Sequence, residues 1–313
     1  DLKPVILEGS HRNVIAIIGD ERKFSTEFLE SLPGVEKSMP ILAPYKIASK
    51  EVKAESTEVP IGNTVIGGRK IGIIAGPCAV ESRDQMITVA RKVKEAGAIA
   101  LRGGAYKPRT NPYSFQGLQE EGLKHLAAAR DETGLPVVTE VLSETSVKLV
   151  AKYADVLQIG TRNMSNFELL KAAGETMKPV ILKRGMAATL DEFLQAAEYI
   201  LSQGNPNVIL CERGIRTFET HTRFTLSLSV VPQLKEMTHL PVIVDPSHGT
   251  GKRTLVNPMS RGAVAVGADG LLIEVHHDPE TSLCDGPQTL TSSDFARLVN
   301  ELKPIAIAVN REI

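Results

Sequence analysis

With 313 residues, 42% of them hydrophobic and 23% charged, the chain has the composition of an ordinary globular protein and room for one large domain plus an appendage. A formal net charge of −1 argues against a general nucleic-acid or membrane-surface role, and 4% aromatics with no Trp removes base-stacking platforms. No apolar run approaches the roughly 20 residues that span a bilayer.

The amino terminus, DLKPVILEGS, has neither a signal-peptide pattern nor a starting Met, so the numbering is expected to begin inside a longer natural chain. Residues 1–48 read as a small α/β unit. Residues 5–7 and 14–18 are β-branched runs joined by a turn-rich link, which predicts a hairpin. Residues 25–32 carry Phe28, Leu29 and Leu32 on one helical face, Pro33-Gly34 ends that helix, and residues 35–42 read as a returning strand. Residues 49–60, SKEVKAESTEVP, are polar and charged and predict a linker. A short hairpin follows at 61–66.

From there to residue 313 the pattern repeats eight times as an apolar strand and an amphipathic helix. The strands are predicted at 71–75, 99–102, 136–140, 156–159, 179–183, 208–212, 241–245 and 270–275. They are nearly continuous hydrophobic runs, as strands buried on both faces of a parallel sheet must be. Thr189 and Glu192 make a capping box for a helix with Phe193, Ala197 and Ile200 inward, stopped by Gly204. Ser292 or Ser293 is expected to cap another, with Phe295, Leu298, Val299 and Leu302 inward. Eight even rounds in about 250 residues predict a closed (β/α)8 TIM barrel of the α/β class, with a doubly wound open sheet as the alternative.

In such a barrel the site lies at the carboxyl ends of the strands, and nearly every strand here ends in polar residues. The first runs into Cys78 and Glu81. The second delivers Arg102 and a rigid loop, LRGGAYKPRTNPYSFQG, with Lys107, Pro108, Arg109 and Thr110. The next four end near Glu140, Arg162, Lys183 and Glu212-Arg213, and the last two near Asp245-Pro-Ser-His248 and Glu274, with Asp285 in the final loop. Cys78, His248, Glu274 and Asp285 lie on strands one, seven and eight, which become neighbours on closure. A thiolate, an imidazole and two carboxylates suit several first-row divalent ions; singly, the Cys is as readily a packed small residue and the carboxylates ion-pair partners. Arg102, Lys107, Arg162, Lys183 and Arg213, with Arg109 and Arg184 nearby, suit a ligand carrying several negative charges. Ion pairing with Glu140, Glu212, Asp245 and Glu274 is the plainer alternative. Cys211 is read as core, Cys284 as a minor neighbour of Asp285, and His11, His125, His221 and His239 as surface or helix residues. His276 and His277 are near the rim but not assigned to the chemistry. Three cysteines are too few for a disulfide framework and fit a reducing, cytoplasmic setting.

The segments IAGPCAVES, LRGGAYKPRT, QIGTRN, ILKRG, CERGIRTF, VDPSHGTG and IEVHHDP, in this order across residues 61–313, resemble the 3-deoxy-D-arabino-heptulosonate 7-phosphate (DAHP) synthases of the type Iβ branch. The resemblance implies a metal-dependent transferase at the entry to the shikimate pathway of aromatic amino-acid biosynthesis. Such enzymes condense phosphoenolpyruvate with erythrose 4-phosphate and water, releasing phosphate. It places the metal ligands on Cys78, His248, Glu274 and Asp285, with Mn²⁺ first and Fe²⁺, Co²⁺, Zn²⁺ or Cd²⁺ as alternatives. It places phosphoenolpyruvate on Arg102, Lys107, Arg162, Lys183 and Arg213, and erythrose 4-phosphate on Pro108, Arg109, Thr110 and Asp245. Lys107, His248 and Asp245 are the implied catalytic residues, with Lys107 or a water beside His248 moving protons. The sister enzymes, which use arabinose 5-phosphate, carry an asparagine-arginine-serine pattern where this chain has Pro108-Arg109-Thr110. A catalytically silent phosphate-binding module is the reading from another class. Residues 1–48 resemble the ferredoxin-like regulatory domain of some members, βαββαβ in the family, and this chain reads as starting after its first strand and helix. The resemblance further implies a homotetramer and an aromatic amino-acid effector.

Overall fold

The computed structural model describes residues 3–7, 13–18, 25–39 and 43–313. Strands β1 (Lys3–Leu7) and β2 (Val14–Ile18) pair antiparallel, with Ile6 opposite Ile15, as the expected hairpin. Helix α1 (Thr26–Glu30) follows, its Phe28 N–H donating to the Ser25 hydroxyl. The returning strand expected at 35–42 does not form over residues 35–39, which run as irregular chain. That stretch has a single β-branched residue, Val35, exposed like Met39, and Pro40 after it has no N–H for a ladder. Residues 40–42 lie outside the described residues.

The polar stretch at 49–60, expected to be a linker, is packed on the protein, together with the residues just before it. Ile47, Ala48, Val52 and Val59 are buried. The Glu198 carboxylate accepts the successive backbone N–H groups of Lys46, Ile47 and Ala48 at 3.0, 2.7 and 2.9 Å. His239, expected at the surface or on a helix, is buried here. Its Nε2–H donates to the Ile47 carbonyl and its Nδ1 accepts from the Thr57 hydroxyl, both at 2.8 Å. Burial pushes its pKa down to about 4. Contacts this distant in sequence leave no local pattern to read.

A hairpin, β3 (Val59–Ile61) with β4 (Thr64–Ile66), then plugs the amino end of a barrel. The barrel runs β5 (Gly72–Gly76), α2 (Arg83–Glu95), β6 (Ala100–Arg102), α3 (Glu120–Thr133), β7 (Val137–Val141), α4 (Glu144–Tyr153), β8 (Val156–Ile159) and α5 (Phe167–Glu175). It continues with β9 (Val180–Lys183), α6 (Leu190–Leu201), β10 (Val208–Glu212), α7 (Val230–Met237), β11 (Val242–Val244), the short α8 (Pro246–Thr250), α9 (Arg253–Ala265) and β12 (Gly270–His276). After these come β13 (Leu290–Thr291) and α10 (Ser292–Ala308). Each of the strands β5 to β12 pairs parallel with the next, and β12 pairs with both β11 and β5, so the ring closes. The eight strands fall where the continuous apolar runs put them, and closure excludes the open sheet.

Alternation along each strand divides the core in two. Ile74, Ala100, Val138, Val156, Ile181, Ile209, Ile243 and Leu272 fill the barrel interior, with Val59, Ile61 and Ile66 of the plug beneath them. Their neighbours, such as Ile73, Leu101, Val137 and Leu182, face the helices. Helix α6 opens on the Thr189–Glu192 capping box as read. Helix α10 is capped by Thr291, whose hydroxyl accepts the Asp294 N–H, rather than by Ser292 or Ser293. Among the described residues no helix is long and apolar enough to cross a membrane.

Candidate active site

Strand ends and one short helix bring four donors together. Gly76 at the end of β5 lies against β6 so closely that a Cβ there would sit 2.1 Å from the Arg102 carbonyl, and this contact sets the path into Cys78. Asp245 caps α8: one oxygen accepts the His248 N–H at 2.9 Å, the other the His248 Nδ1–H at 2.6 Å. The imidazole is thereby held with Nε2 pointing at β12, 3.2 Å from Glu274 Oε1 and 3.9 Å from Asp285 Oδ2. Cys78 Sγ completes the group, 3.3 Å from that Asp285 oxygen. One donor atom from each of Cys78, His248, Glu274 and Asp285 lies within 4.8 Å of the others. Asp285 has a left-handed backbone (φ +53°), a conformation that Asp tolerates better than most residues.

Beside this cluster opens a cleft of about 880 Å³, whose lining includes Arg102, Lys107, Pro108, Arg109, Thr110, Arg162, Lys183, Arg213, His248 and Asp285. Three of its cations are spoken for: Arg102 meets Glu274 at 3.2 Å, Lys183 meets Asp245 at 2.6 Å and Arg223 meets Asp285 at 3.3 Å. Lys107, Arg109, Arg162 and Arg213 have no carboxylate within ion-pair distance among the described residues. Lys107 donates to the Cys78 carbonyl and sulfur at 2.8 and 3.0 Å, and Arg109 to Cys284 Sγ at 2.9 Å. Arg213 lies flat on Phe224, 3.9 Å from the ring centroid. Burial lowers the Arg213 pKa. Burial also works against Lys107 and Arg102, but the Cys78 and Glu274 partners outweigh it and hold both above their usual values.

All five of the first cation set therefore reach one mouth with His248 and Asp285, while Cys78 and Glu274 lie buried beside it, against those two residues. Asp245, expected to face the sugar as well, lies instead fully buried behind His248 and Lys183 and is not among the cleft-lining residues. Burial raises its pKa, but His248 and Lys183 more than reverse that and hold it well below the usual carboxylate range. Arg184 is turned away from the mouth and pairs with Glu212 at 3.1 Å, the plainer alternative for that residue. Arg223 and Phe224 also line the cleft from a loop that no strand-end pattern marks, and Gln158, the penultimate residue of β8, lines it as well.

The family model described as the DAHP synthetase I family matches residues 48–308. The chain belongs to that family. A second model, the DAHP synthase ferredoxin-like domain, matches residues 1–43. Among family relatives, a phospho-2-dehydro-3-deoxyheptonate aldolase of Thermotoga maritima is 51% identical over all of this chain and 93% of its own length. The crystal structure of that DAHP synthase superposes with a TM-score of 0.85 over 99% of this chain and 91% of its own. A truncated form from the same organism gives 0.81 at 49% identity, over 86% of this chain and 98% of its own. More distant is a 2-dehydro-3-deoxyphosphooctonate aldolase of Citrifermentans bemidjiense, 33% identical over 81% of this chain and 99% of its own.

DAHP synthases are generally metal-dependent, and the four-donor cluster fits a divalent ion. Donors held by one first-row ion at about 2.0–2.3 Å stand roughly 3–4 Å apart, and the His248–Glu274, Cys78–Asp285 and His248–Asp285 separations are 3.2, 3.3 and 3.9 Å. Glu274 Oε1 is buried and makes no hydrogen bond among the described residues, only ion-pair contacts with Arg102 and His248 at 3.2 Å, which leaves its lone pairs open to an ion. Sharing a proton with Cys284, and then burial, push the Cys78 thiol up, so ligation must displace that proton.

Proposed function

We infer that the protein is a DAHP synthase: it joins C3 of phosphoenolpyruvate to the aldehyde carbon of erythrose 4-phosphate, water adds at C2, and phosphate leaves with its bridging oxygen. The observation that carries the reading is the set of four cations, Lys107, Arg109, Arg162 and Arg213, without carboxylate partners among the described residues in one cleft beside the ligand cluster. Cations so crowded repel one another unless anions join them, and the two substrates supply a carboxylate and two phosphates. Arg102, Lys107, Arg162, Lys183 and Arg213 are assigned to phosphoenolpyruvate, which they orient while their charge favours the departing phosphate. Pro108, Arg109 and Thr110 are assigned to erythrose 4-phosphate.

Cys78, His248, Glu274 and Asp285 are assigned to a divalent ion, Mn²⁺ first. When bound, such an ion supplies Lewis acidity toward a carbonyl oxygen. Asp245 keeps His248 in the tautomer whose Nε2 can ligate, and it holds Lys183 at 2.6 Å. Lys107 Nζ, between Cys78 and the cleft, is the group assigned to hold or move a proton there. Residues 1–48 are assigned to a regulatory-type domain, 49–60 to a connecting strap and 61–313 to a barrel; the family matches at 1–43 and 48–308 support a two-part chain, the second match running through 49–60. A homotetramer, an aromatic amino-acid effector and a cytoplasmic setting belong to the same reading, open to light scattering and to inhibition by tyrosine or phenylalanine.

The test is phosphate release from phosphoenolpyruvate with each aldose. Faster release with erythrose 4-phosphate is expected. Faster release with arabinose 5-phosphate reassigns the enzyme to its sister activity, and no release with either leaves a binding module.

A further inference from the structure

The two carboxylate donors each expose one oxygen to the cluster, and one pair of side chains holds the other oxygen of both. Gln288 is almost fully buried, and its Nε2 donates to Glu274 Oε2 at 2.6 Å. Its Oε1 accepts from Arg223 Nη1 at 3.1 Å, and the same nitrogen donates to Asp285 Oδ1 at 3.3 Å. The amide orientation is fixed by its partners: a guanidinium only donates, so the atom facing it is the oxygen, and the NH₂ is left for Glu274. With the rear oxygens tied, Glu274 Oε1 and Asp285 Oδ2 are the ones turned to His248 Nε2.

We propose that Gln288 and Arg223 act as a yoke that positions both carboxylate ligands of the metal centre, Gln288 from behind Glu274 and Arg223 from the wall of the substrate cleft. The backbone supports it. Asp285 heads the single 3-10 turn Gly286–Gln288, and the Thr289 hydroxyl donates to the Asp285 carbonyl at 2.8 Å, so ligand and yoke share one stiff segment. The Arg223 and Phe224 N–H groups donate to the Thr250 and Gly249 carbonyls at 3.0 and 3.1 Å, which bolts the Arg223 loop to the helix carrying His248. Neither Gln288 nor Arg223 has an atom in the ligand set; each acts through a carboxylate. Partners of this kind hold metal ligands in the geometry the ion needs, and their loss typically costs 10–100-fold in affinity.

The proposal rests on the metal reading of the four donors, and the experiment separates the two. Mn²⁺ is titrated into the chelator-stripped full-length chain and the free ion is read by electron paramagnetic resonance. Gln288→Met, close in shape but without donor or acceptor, is expected to raise the Mn²⁺ Kd about 10–100-fold, with the KM for phosphoenolpyruvate at saturating Mn²⁺ unchanged. Arg223→Gln, at a half-exposed position, is expected to raise the Kd as well. The double variant should lose less than the product of the two effects, because both act on one pair. A Kd within twofold of wild type in folded Gln288→Met overturns the yoke. Should that variant not fold, an unchanged Kd in Arg223→Gln overturns it instead. A wild-type chain that binds no Mn²⁺ overturns the metal reading beneath it.

Discussion

Asp245→Asn changes one charge and almost no volume at the point where the cation cleft and the ligand cluster meet. The carboxylate is fully buried and accepts three hydrogen bonds: Lys183 Nζ and His248 Nδ1 on one oxygen at 2.6 Å, and the His248 N–H on the other at 2.9 Å. An amide cannot replace it in either orientation. With its oxygen toward Lys183, its NH₂ meets the His248 N–H, donor against donor; flipped, the NH₂ meets both Lys183 and Nδ1. Lys183, itself buried, is left with a neutral partner at best. Breaking a buried pair by neutralising one member costs about 3–5 kcal/mol, and neither group is exposed enough for solvent to soften that. Urea unfolding of the metal-free protein should show a loss of that order. Because His248 loses the acceptor that fixes its tautomer, Mn²⁺ affinity should fall as well, about 10–100-fold. A folded variant with a stability loss under about 1 kcal/mol and wild-type Mn²⁺ affinity would refute the idea that Asp245 supports both residues.

Further outcomes follow from the same geometry. Arg162→Ala removes a cleft cation with no carboxylate partner among the described residues, so it should raise the KM for phosphoenolpyruvate at least tenfold while leaving thermal stability near wild type; an unchanged KM removes Arg162 from that site. Cys78→Ala should lose Mn²⁺ binding and turnover together, and unchanged metal content in isothermal titration would strike Cys78 from the ligand set. His239, neutral in the fold with a pKa near 4, takes up its proton near 6.5 once unfolded. The unfolded state therefore binds more protons between those values, so stability falls as pH drops from about 6.5 to 4, by up to roughly 3 kcal/mol. His239→Gln should flatten that part of the pH–stability curve, and a curve that keeps its slope would assign the acid sensitivity elsewhere. Glu198→Ala strips the shared acceptor from Lys46, Ile47 and Ala48, and hydrogen exchange at those amides should quicken by at least tenfold while the barrel strands keep their protection; exchange at the wild-type rate would show that other contacts hold the strap.

What the sequence made legible is what repeats or sits at a fixed offset. Eight nearly continuous apolar runs locate the strands to within a residue or two, because burial on both faces confines polar residues such as Glu140, Gln158 and Glu274 to the carboxyl ends. The rim residues follow from that register: once Glu274 is placed near the carboxyl end of β12 and Cys78 after β5, ring closure alone makes them neighbours. The misses share a cause. His239 and Glu198 act on residues 46–57, on the far side of the chain, and an imidazole that bridges a carbonyl and a hydroxyl looks no different in sequence from a solvated one. Residues 49–60 read as a spacer because most of their side chains are polar, whereas Val52 and Val59 are buried and the backbone N–H groups of Lys50 and Thr57 donate to the Met237 and His239 carbonyls. Gln288 and Arg223 lie in loops with no periodicity, and Asp245 was drawn toward the substrate because its place at a strand end does not reveal which way its two oxygens are occupied.

Three of the four donors, Cys78, Glu274 and Asp285, come from the first and last strands of the ring or the loops after them, and His248 follows the strand between β10 and β12. Cys78 and Asp285, 207 positions apart in sequence, meet at the seam where β5 and β12 join. Contacts of such long range carry the greatest loop-closure entropy and belong to the late part of folding. An ion bound across them is then a rivet on the seam. It should slow the opening of the barrel far more than it speeds its formation, and it stabilises the closed ring in proportion to the logarithm of its free concentration over its dissociation constant. Starving the protein of metal would leave the elements folded but the ring easier to spring at one known place.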